Sequence, residues 1–414
     1  MYLDEVVAAQ KRGEAMGITS VCSAHPQVIK QTLKVSQTFK VPPLIEATCN
    51  QVNQYGGYTG MTPKAFVAYM QSITEEINFP FENIIVGGDH LGPNVWQNEP
   101  AESAMQKSEV LIRDYVQAGF RKIHLDCSMR LADDLLGTLD VEVISSRVAR
   151  LAKVAEESGN KNLRYIIGTE VPVPGGATEH AEGVSVTKVE DARQTIEVTR
   201  EAFLRRGLAE AWERVIGVVV QPGLEFGDDF ILPYQPERAH DLSRFIESQP
   251  LIYEAHSTDY QTRSSLKNLV HDHFAILKVG PALTFAFRES VFALAMIENE
   301  LIAKDRRSNF IEMLDDMMLK HSEYWKKYYH GTEEEQAFKR KYSLSDRARY
   351  YWVQPEVNNA FTRLMENLGD RTLPYALLSQ FAGCTGLNAV QVIQSKTNKV
   401  LEDYFYAGQY LRKE

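Results

Sequence analysis

The chain has 414 residues, 44% of them hydrophobic, and a net charge of −10 with no basic block along its length. That hydrophobic fraction is ample for a packed core, and the charge argues against nucleic acid as a partner. No run approaches the roughly 18 apolar residues of a membrane span; Cys22, Cys49, Cys127 and Cys384 show no paired spacing, and the acidic amino terminus is unlike a signal peptide, so a reduced, cytoplasmic setting is expected.

In chain order, the amino terminus opens on an amphipathic helix. Eight segments then share one grammar, an apolar or β-branched run ending on polar, often ionisable residues: 18–25, 43–50, 85–94, 122–128, 165–176, 215–223, 251–259 and 275–284. Each leads into a longer stretch of helical character. Eight such units predict an α/β fold, a (β/α)8 TIM barrel over residues 1–302 with its chemistry at the strand C-termini. Residues 129–140 read as a loop before a helix over 141–158, and 177–186 as a long loop over the barrel mouth. From 303 to 414 helical segments dominate (310–319, 333–342, 356–368, 375–381, 389–406), as an extension packed on the barrel or on a partner. This tail is rich in large rings, among them Tyr324, Trp325, Tyr328, Tyr329, Tyr350, Tyr351 and Trp352. They form either intramolecular core or a hot-spot surface for another subunit.

The strand ends carry the chemistry. Asp89 and His90 end the third strand, His124, Asp126 and Ser128 the fourth, Glu170 the fifth and Gln221 the sixth. Glu254, His256 and Asp259 lie at the seventh and Lys278 on the eighth. Side chains two apart share a strand face, so His124 and Asp126 point together, as do Glu254 and His256. Any one of these could be a structural polar residue satisfied by backbone or water. So many ionisable groups at one mouth are costly to bury without pairing or purpose. His90, Glu170 and His256 resemble a divalent-metal set suited to zinc or manganese, with Asp89 placed to shuttle a proton. A metal that polarises a ketone, with a carboxylate to move a proton, serves aldol cleavage or sugar epimerisation. Asn50 and Gln51, with Ser257, Thr258, Asp259, Lys278 and Gly280, are candidate contacts to substrate and its phosphate, since the last loops of barrels commonly hold phosphate. Equally, Ser257 and Thr258 could cap the next helix and Gly280 could simply turn the chain. Lys278 reads either as a Schiff-base lysine or as the partner of a carboxylate such as Glu254.

Long motifs carry a family resemblance. Residues 50–63 (Asn-Gln-Val-Asn-Gln-Tyr-Gly-Gly-Tyr-Thr-Gly-Met-Thr-Pro), 87–94 (Gly-Gly-Asp-His-Leu-Gly-Pro-Asn) and 253–262 (Tyr-Glu-Ala-His-Ser-Thr-Asp-Tyr-Gln-Thr), with 21–26, 122–129, 168–176 and 277–286, resemble the accessory (Z) subunit family of D-tagatose-1,6-bisphosphate aldolase. The resemblance runs from near residue 10 to about 380. It implies a barrel of the class II aldolase type in tagatose, galactitol and N-acetylgalactosamine catabolism. The implied role is a non-catalytic subunit, in an oligomer, that stabilises and activates a class II aldolase and binds phosphorylated ketohexose. Some members are assigned instead as fructose-6-phosphate/tagatose-6-phosphate 4-epimerases, for which Asp89, Asp126 and Glu170 could move protons. Asp89 and His90 match the Asp-His pair of class II aldolases and His256 their seventh-strand ligand. Gln221 stands where they place a third histidine, so it is carried as a weak member of the metal set with Glu170 as the stronger third ligand. Others carry a tagatose-6-phosphate kinase label; the chain has no GxxxxGK[ST] loop, so neither a kinase nor a nucleotide cofactor is expected.

Overall fold

The structure, a computed structural model, describes residues 1–159, 162–169 and 184–408. Eight strands, β1 (Ile18–Val21), β2 (Leu44–Thr48), β3 (Ile85–Leu91), β4 (Lys122–Leu125), β5 (Arg164–Ile167), β6 (Val215–Val219), β7 (Ile252–Ala255) and β8 (Phe274–Val279), run parallel and close into a barrel, β8 pairing with β1. The predicted (β/α)8 barrel is the observed one. Nearly every strand residue is buried, as expected of a parallel sheet covered on both faces. A two-residue antiparallel pair, Glu225–Phe226 with Ile231–Leu232, is inserted after β6.

Helix α1 (Tyr2–Lys11) precedes the barrel, and α2 (Pro26–Phe39), α3 (Pro63–Glu76), α4 (Ala101–Gln117), α5 (Val141–Glu157), α6 (Val189–Arg205), α7 (Pro236–Glu247), α8 (Arg263–His271) and α9 (Pro281–Leu301) follow successive strands. Proline opens α2, α3, α7 and α9, where its missing N–H has no intrahelical partner to lose. Helix α8 is capped by the Thr262 side chain, which accepts the Ser265 N–H, and not by Ser257 or Thr258. Helix α1 plugs the barrel floor: Leu3 and Val6 pack among Ile18, Leu44, Ile85, Ile166, Ile216 and Ile276. Burial of each of these two side chains contributes about 1.5–3 kcal/mol.

Beyond the barrel come α10 (Phe310–Lys320), α11 (Glu333–Tyr342), α12 (Pro355–Leu368) and α13 (Ala389–Gly408). Helix α9 is shared between two cores. Its start belongs to the barrel, and Phe287, Val291, Leu294 and Ile297 pack with Phe310, Leu314, Tyr351, Trp352 and Leu364. Helix α13 returns to the barrel wall, where Leu401, Tyr404 and Phe405 join the barrel core. Trp352 stacks on Phe310 at 5.3 Å between centroids and meets Phe287 at 4.7 Å; Tyr351 is fully buried. The Tyr350–Trp352 cluster therefore belongs to intramolecular core rather than to a free partner surface. Among the described residues no helix is long and apolar enough to cross a membrane. Glu170, the turn at 171–176 and residues 177–183 of the expected mouth loop lie outside the described residues.

Candidate functional site

Consecutive strand residues point to opposite faces, so a regular β3 could not aim both Asp89 and His90 into the mouth. The β3–β4 register slips between Gly88 and Leu91, and His90 takes a left-handed backbone with φ 48°. Such a conformation costs a non-glycine residue about 1–3 kcal/mol and persists only where the surroundings over-determine it. Here they do. Asp89 Oδ1 lies 2.9 Å from His124 Nδ1, and His90 Nδ1 lies 2.8 Å from Asp126 Oδ2. Gly92 permits this approach, because a Cβ there would sit 1.9 Å from the Asp126 carbonyl oxygen.

The rings of His90, His124 and His256 form a triangle with centroid separations of 4.9, 5.1 and 5.2 Å. Each turns one nitrogen to a carboxylate: His90 to Asp126, His124 to Asp89, and His256 Nε2 to Glu254 Oε1 at 3.0 Å. The His90 backbone N–H also lies 3.2 Å from His124 Nδ1, but the charged Asp89 oxygen is the stronger partner and places the ring proton on Nδ1. His124 Nε2 is then a lone pair, buried without a hydrogen-bond partner. Imidazoles held through their second nitrogen by carboxylates are how proteins orient metal ligands. Ligand atoms of the three histidines and Asp89 lie within 4.8 Å of one another. The donor set fits a metal ion.

Beneath the triangle runs a buried ionic floor. Lys122 Nζ pairs with Glu254 Oε2 at 2.6 Å and Glu46 Oε1 at 2.7 Å, and Lys278 Nζ with Glu46 Oε2 at 2.7 Å and Asp89 Oδ1 at 3.0 Å. Four carboxylates (Glu46, Asp89, Asp126, Glu254) face two ammonium groups, an excess of negative charge that imidazolium or a bound cation would balance. Burial alone would lower the Lys278 pKa, but the surrounding acids, Asp89 first, hold it well above the usual lysine range. Of the two sequence readings of this lysine, the carboxylate pairing is the one the geometry shows, with Glu46 and Asp89 closer than Glu254, and an ammonium so paired is a poor Schiff-base nucleophile. Burial lowers the His256 pKa to about 4, leaving the ring neutral and able to donate a lone pair. Asp126 resists its own burial through the hydrogen bond and charge of His90, which bring its pKa to about 2.

Above the floor opens a cleft of about 90 Å³, lined by Asp89, His90, His256, Lys278, Asn50, Gln51, Ser257, Asp259 and Gly280. Ser257, like His90, is left-handed, with φ 56°. Asp126 reaches the site through His90. Two expected members are elsewhere. Thr258 is fully buried, its hydroxyl on the Lys278 carbonyl and near the Tyr404 hydroxyl, so it turns away from the cleft. The Gln221 amide oxygen accepts the Gly223 N–H in a local turn and is engaged there. The Gly280 N–H is already taken: Asp259 Oδ1 accepts it at 3.0 Å and the Ala282 N–H at 2.8 Å.

Sequence reading missed five participants. His124 was read as inward-facing but not as a ligand. Glu46 is a lone charge inside an apolar strand, a signal available in the sequence, whereas Lys122 opens its strand directly after Arg121 and gives no such signal. Arg349 and Tyr350 reach the cleft from the extension, and no local pattern points there.

A family model described as D-tagatose-1,6-bisphosphate aldolase subunit GatZ/KbaZ-like matches residues 3–408. The GatZ subunit of that aldolase from Salmonella paratyphi B is 53% identical over 383 residues, covering 92% of this chain and 90% of the relative. Its counterpart from Klebsiella pneumoniae is 52% identical over the same shares. A crystal structure from Sinorhizobium meliloti, described as a probable tagatose 6-phosphate kinase, superposes with a TM-score of 0.87 at 44% identity, covering 94% of this chain and all of that one. The fructuronate-tagaturonate epimerase UxaE of Cohnella laeviribosi, at 12% identity and TM-score 0.51 over 95% of this chain and 81% of its own, shares the fold. Through the match that spans nearly its whole described length, the chain belongs to the GatZ/KbaZ-like family of D-tagatose-1,6-bisphosphate aldolase subunits.

Proposed function

We propose that the chain acts in tagatose catabolism as the accessory subunit of a class II tagatose-1,6-bisphosphate aldolase, stabilising and activating the catalytic subunit in an oligomer, and that its barrel mouth binds a phosphorylated ketohexose. The observation that carries this reading is the 53% identity, over 92% of the chain, to a relative bearing that subunit's name. Purified chain added to an isolated class II tagatose-bisphosphate aldolase subunit should raise its activity and its half-life; no effect on either counts against the reading.

One structural observation favours a second reading, a metal-dependent fructose-6-phosphate/tagatose-6-phosphate 4-epimerase. The mouth keeps an oriented triangle of histidines above paired acids, which a purely structural subunit does not need. His90, His124 and His256 would hold zinc or manganese, with Glu170 retained as a proposed further ligand or proton carrier. Such an ion, when bound, would polarise a ketose carbonyl. Asp89, held between His124 and Lys278, would take and return a hydroxyl proton as the C3–C4 bond breaks and re-forms. The charges of His90 and Lys278, against burial, keep Asp89 ionised; Asp126 fixes the His90 ring, and Glu254 fixes His256. Incubation of the chain alone with fructose 6-phosphate and a divalent metal separates the readings, since tagatose 6-phosphate forms only under the second.

A further inference from the structure

One cation in the cleft stands apart from the ionic floor. Arg349 lines the mouth cleft, yet among the described residues it forms no salt bridge. Its hydrogen bonds go to neutral oxygens, Nη1 to the Asp346 carbonyl at 2.7 Å and Nη2 to the Tyr350 hydroxyl at 3.1 Å. Lys278, by contrast, is satisfied by Glu46 and Asp89, and the Gly280 and Ala282 N–H groups by Asp259. The donors expected to meet an anion at loops seven and eight are therefore occupied, while the guanidinium, which feels the Asp346 and Asp259 carboxylates only through space, has no direct ion pair among the described residues. Arginine is the side chain best matched to a phosphoryl group, through its planar fork of donors.

The segment that carries it is held firmly. The Leu344 carbonyl accepts the Tyr260 hydroxyl at 2.5 Å and the Leu344 N–H reaches the Asp228 carbonyl at 2.7 Å. Asp346 is ion-paired with Arg288 of α9 at 3.0 Å, both side chains buried. Position adds a second argument. Arg349 lines not only the cleft but also an adjoining cavity of about 530 Å³, and Cys22, Gln51 and Tyr58 line both. It stands at their junction.

We propose that Arg349 is the phosphate-recognising residue of this barrel, delivered from the C-terminal extension to the junction of the two cavities, so that a ketohexose phosphate lies with its phosphoryl group on the guanidinium and its carbon chain toward the histidine triangle. The proposal rests on the phosphorylated-ketohexose reading above and adds that the extension completes the binding site.

Calorimetric titration of the full-length protein with fructose 6-phosphate and, separately, with fructose tests both layers. The intact protein is expected to bind the phosphate at least tenfold more tightly than the free sugar. R349M should weaken fructose 6-phosphate about 10- to 100-fold, the range of a charge-assisted contact, with fructose unchanged. R349K, which keeps the charge without the fork, should fall between. An R349M protein that keeps the full phosphate preference, or loses both ligands equally, overturns the assignment while leaving the substrate reading intact. If R349M does not fold, R349K decides, and an unchanged preference there overturns it too. An intact protein that does not discriminate between the two sugars overturns the substrate reading itself, and this proposal with it.

Discussion

Lys122 of β4 and Glu254 of β7 meet across the barrel interior at 2.6 Å, both side chains wholly shielded from water. Glu254 also holds the His256 ring, and Glu46, the second partner of Lys122, holds Lys278 beside Asp89. The floor is thus a chain of contacts that positions the histidines. A buried ion pair is weak evidence of net stabilisation, but removal of one partner strands the other charge.

Lys122→Met should therefore be strongly destabilising, by about 3–5 kcal/mol, because it removes the ammonium shared by two buried carboxylates, leaving Glu254 with the His256 ring and Glu46 with Lys278 as nearest partners. Urea denaturation measures this. A loss below about 1 kcal/mol, the value of a surface pair, would show that the floor is not energetically closed through Lys122.

Metal binding gives a sharper comparison. His124→Ala, His90→Ala and His256→Ala should each remove most bound metal, since three imidazoles meet in the cluster and the loss of one leaves too few donors. Gln221→Ala should leave metal content unchanged, its amide being engaged by Gly223. Elemental analysis of the purified variants decides, and a metal-free Gln221→Ala protein would reverse the placement of that side chain.

The barrel was legible because its eight segments carry the alternation of apolar run and polar end that closed parallel sheets impose. His90 and His256 were legible as strand-end imidazoles. Period-two reasoning does not explain how Asp89 and His90 share one mouth, because a bulge and a left-handed residue break the period there. Nor could local pattern find Arg349, whose position depends on contacts with Tyr260, Asp228 and Arg288 that are distant in sequence. The aromatic tail shows the same limit: its composition required burial, but whether inside the chain or against a partner was a tertiary matter.

A pH prediction follows from Asp259. Burial raises its pKa to about 6, against the two backbone N–H groups that favour the charge. A carboxyl whose folded pKa lies above its unfolded value contributes stability that is complete below about pH 4 and is lost as pH rises through about 6. The ionised group at neutral pH costs up to about 3 kcal/mol on that account. Asp259→Asn keeps an acceptor for both N–H groups without the charge. It should be as stable as the parent or more so at pH 7.5, and its stability should change less between pH 4 and 6.5. Equal slopes for the two proteins across that window would show that Asp259 titrates normally.

Asp89→Asn divides the two functional readings. The amide keeps the shape of the carboxylate but cannot carry a proton, so turnover of fructose 6-phosphate by the chain alone should fall by about 10²- to 10⁴-fold. Because Asp89 also pairs with His124 and Lys278, metal content and melting temperature must be measured on the same preparation, so that lost chemistry is told from a disturbed floor. Activation of a class II aldolase subunit, which depends on outer surface, should be unaffected by this buried change. If activation is lost while fold and metal content remain, the pocket and the partner are coupled. The barrel mouth would then regulate the aldolase through its own occupancy, and neither the purely accessory nor the purely catalytic account would stand alone.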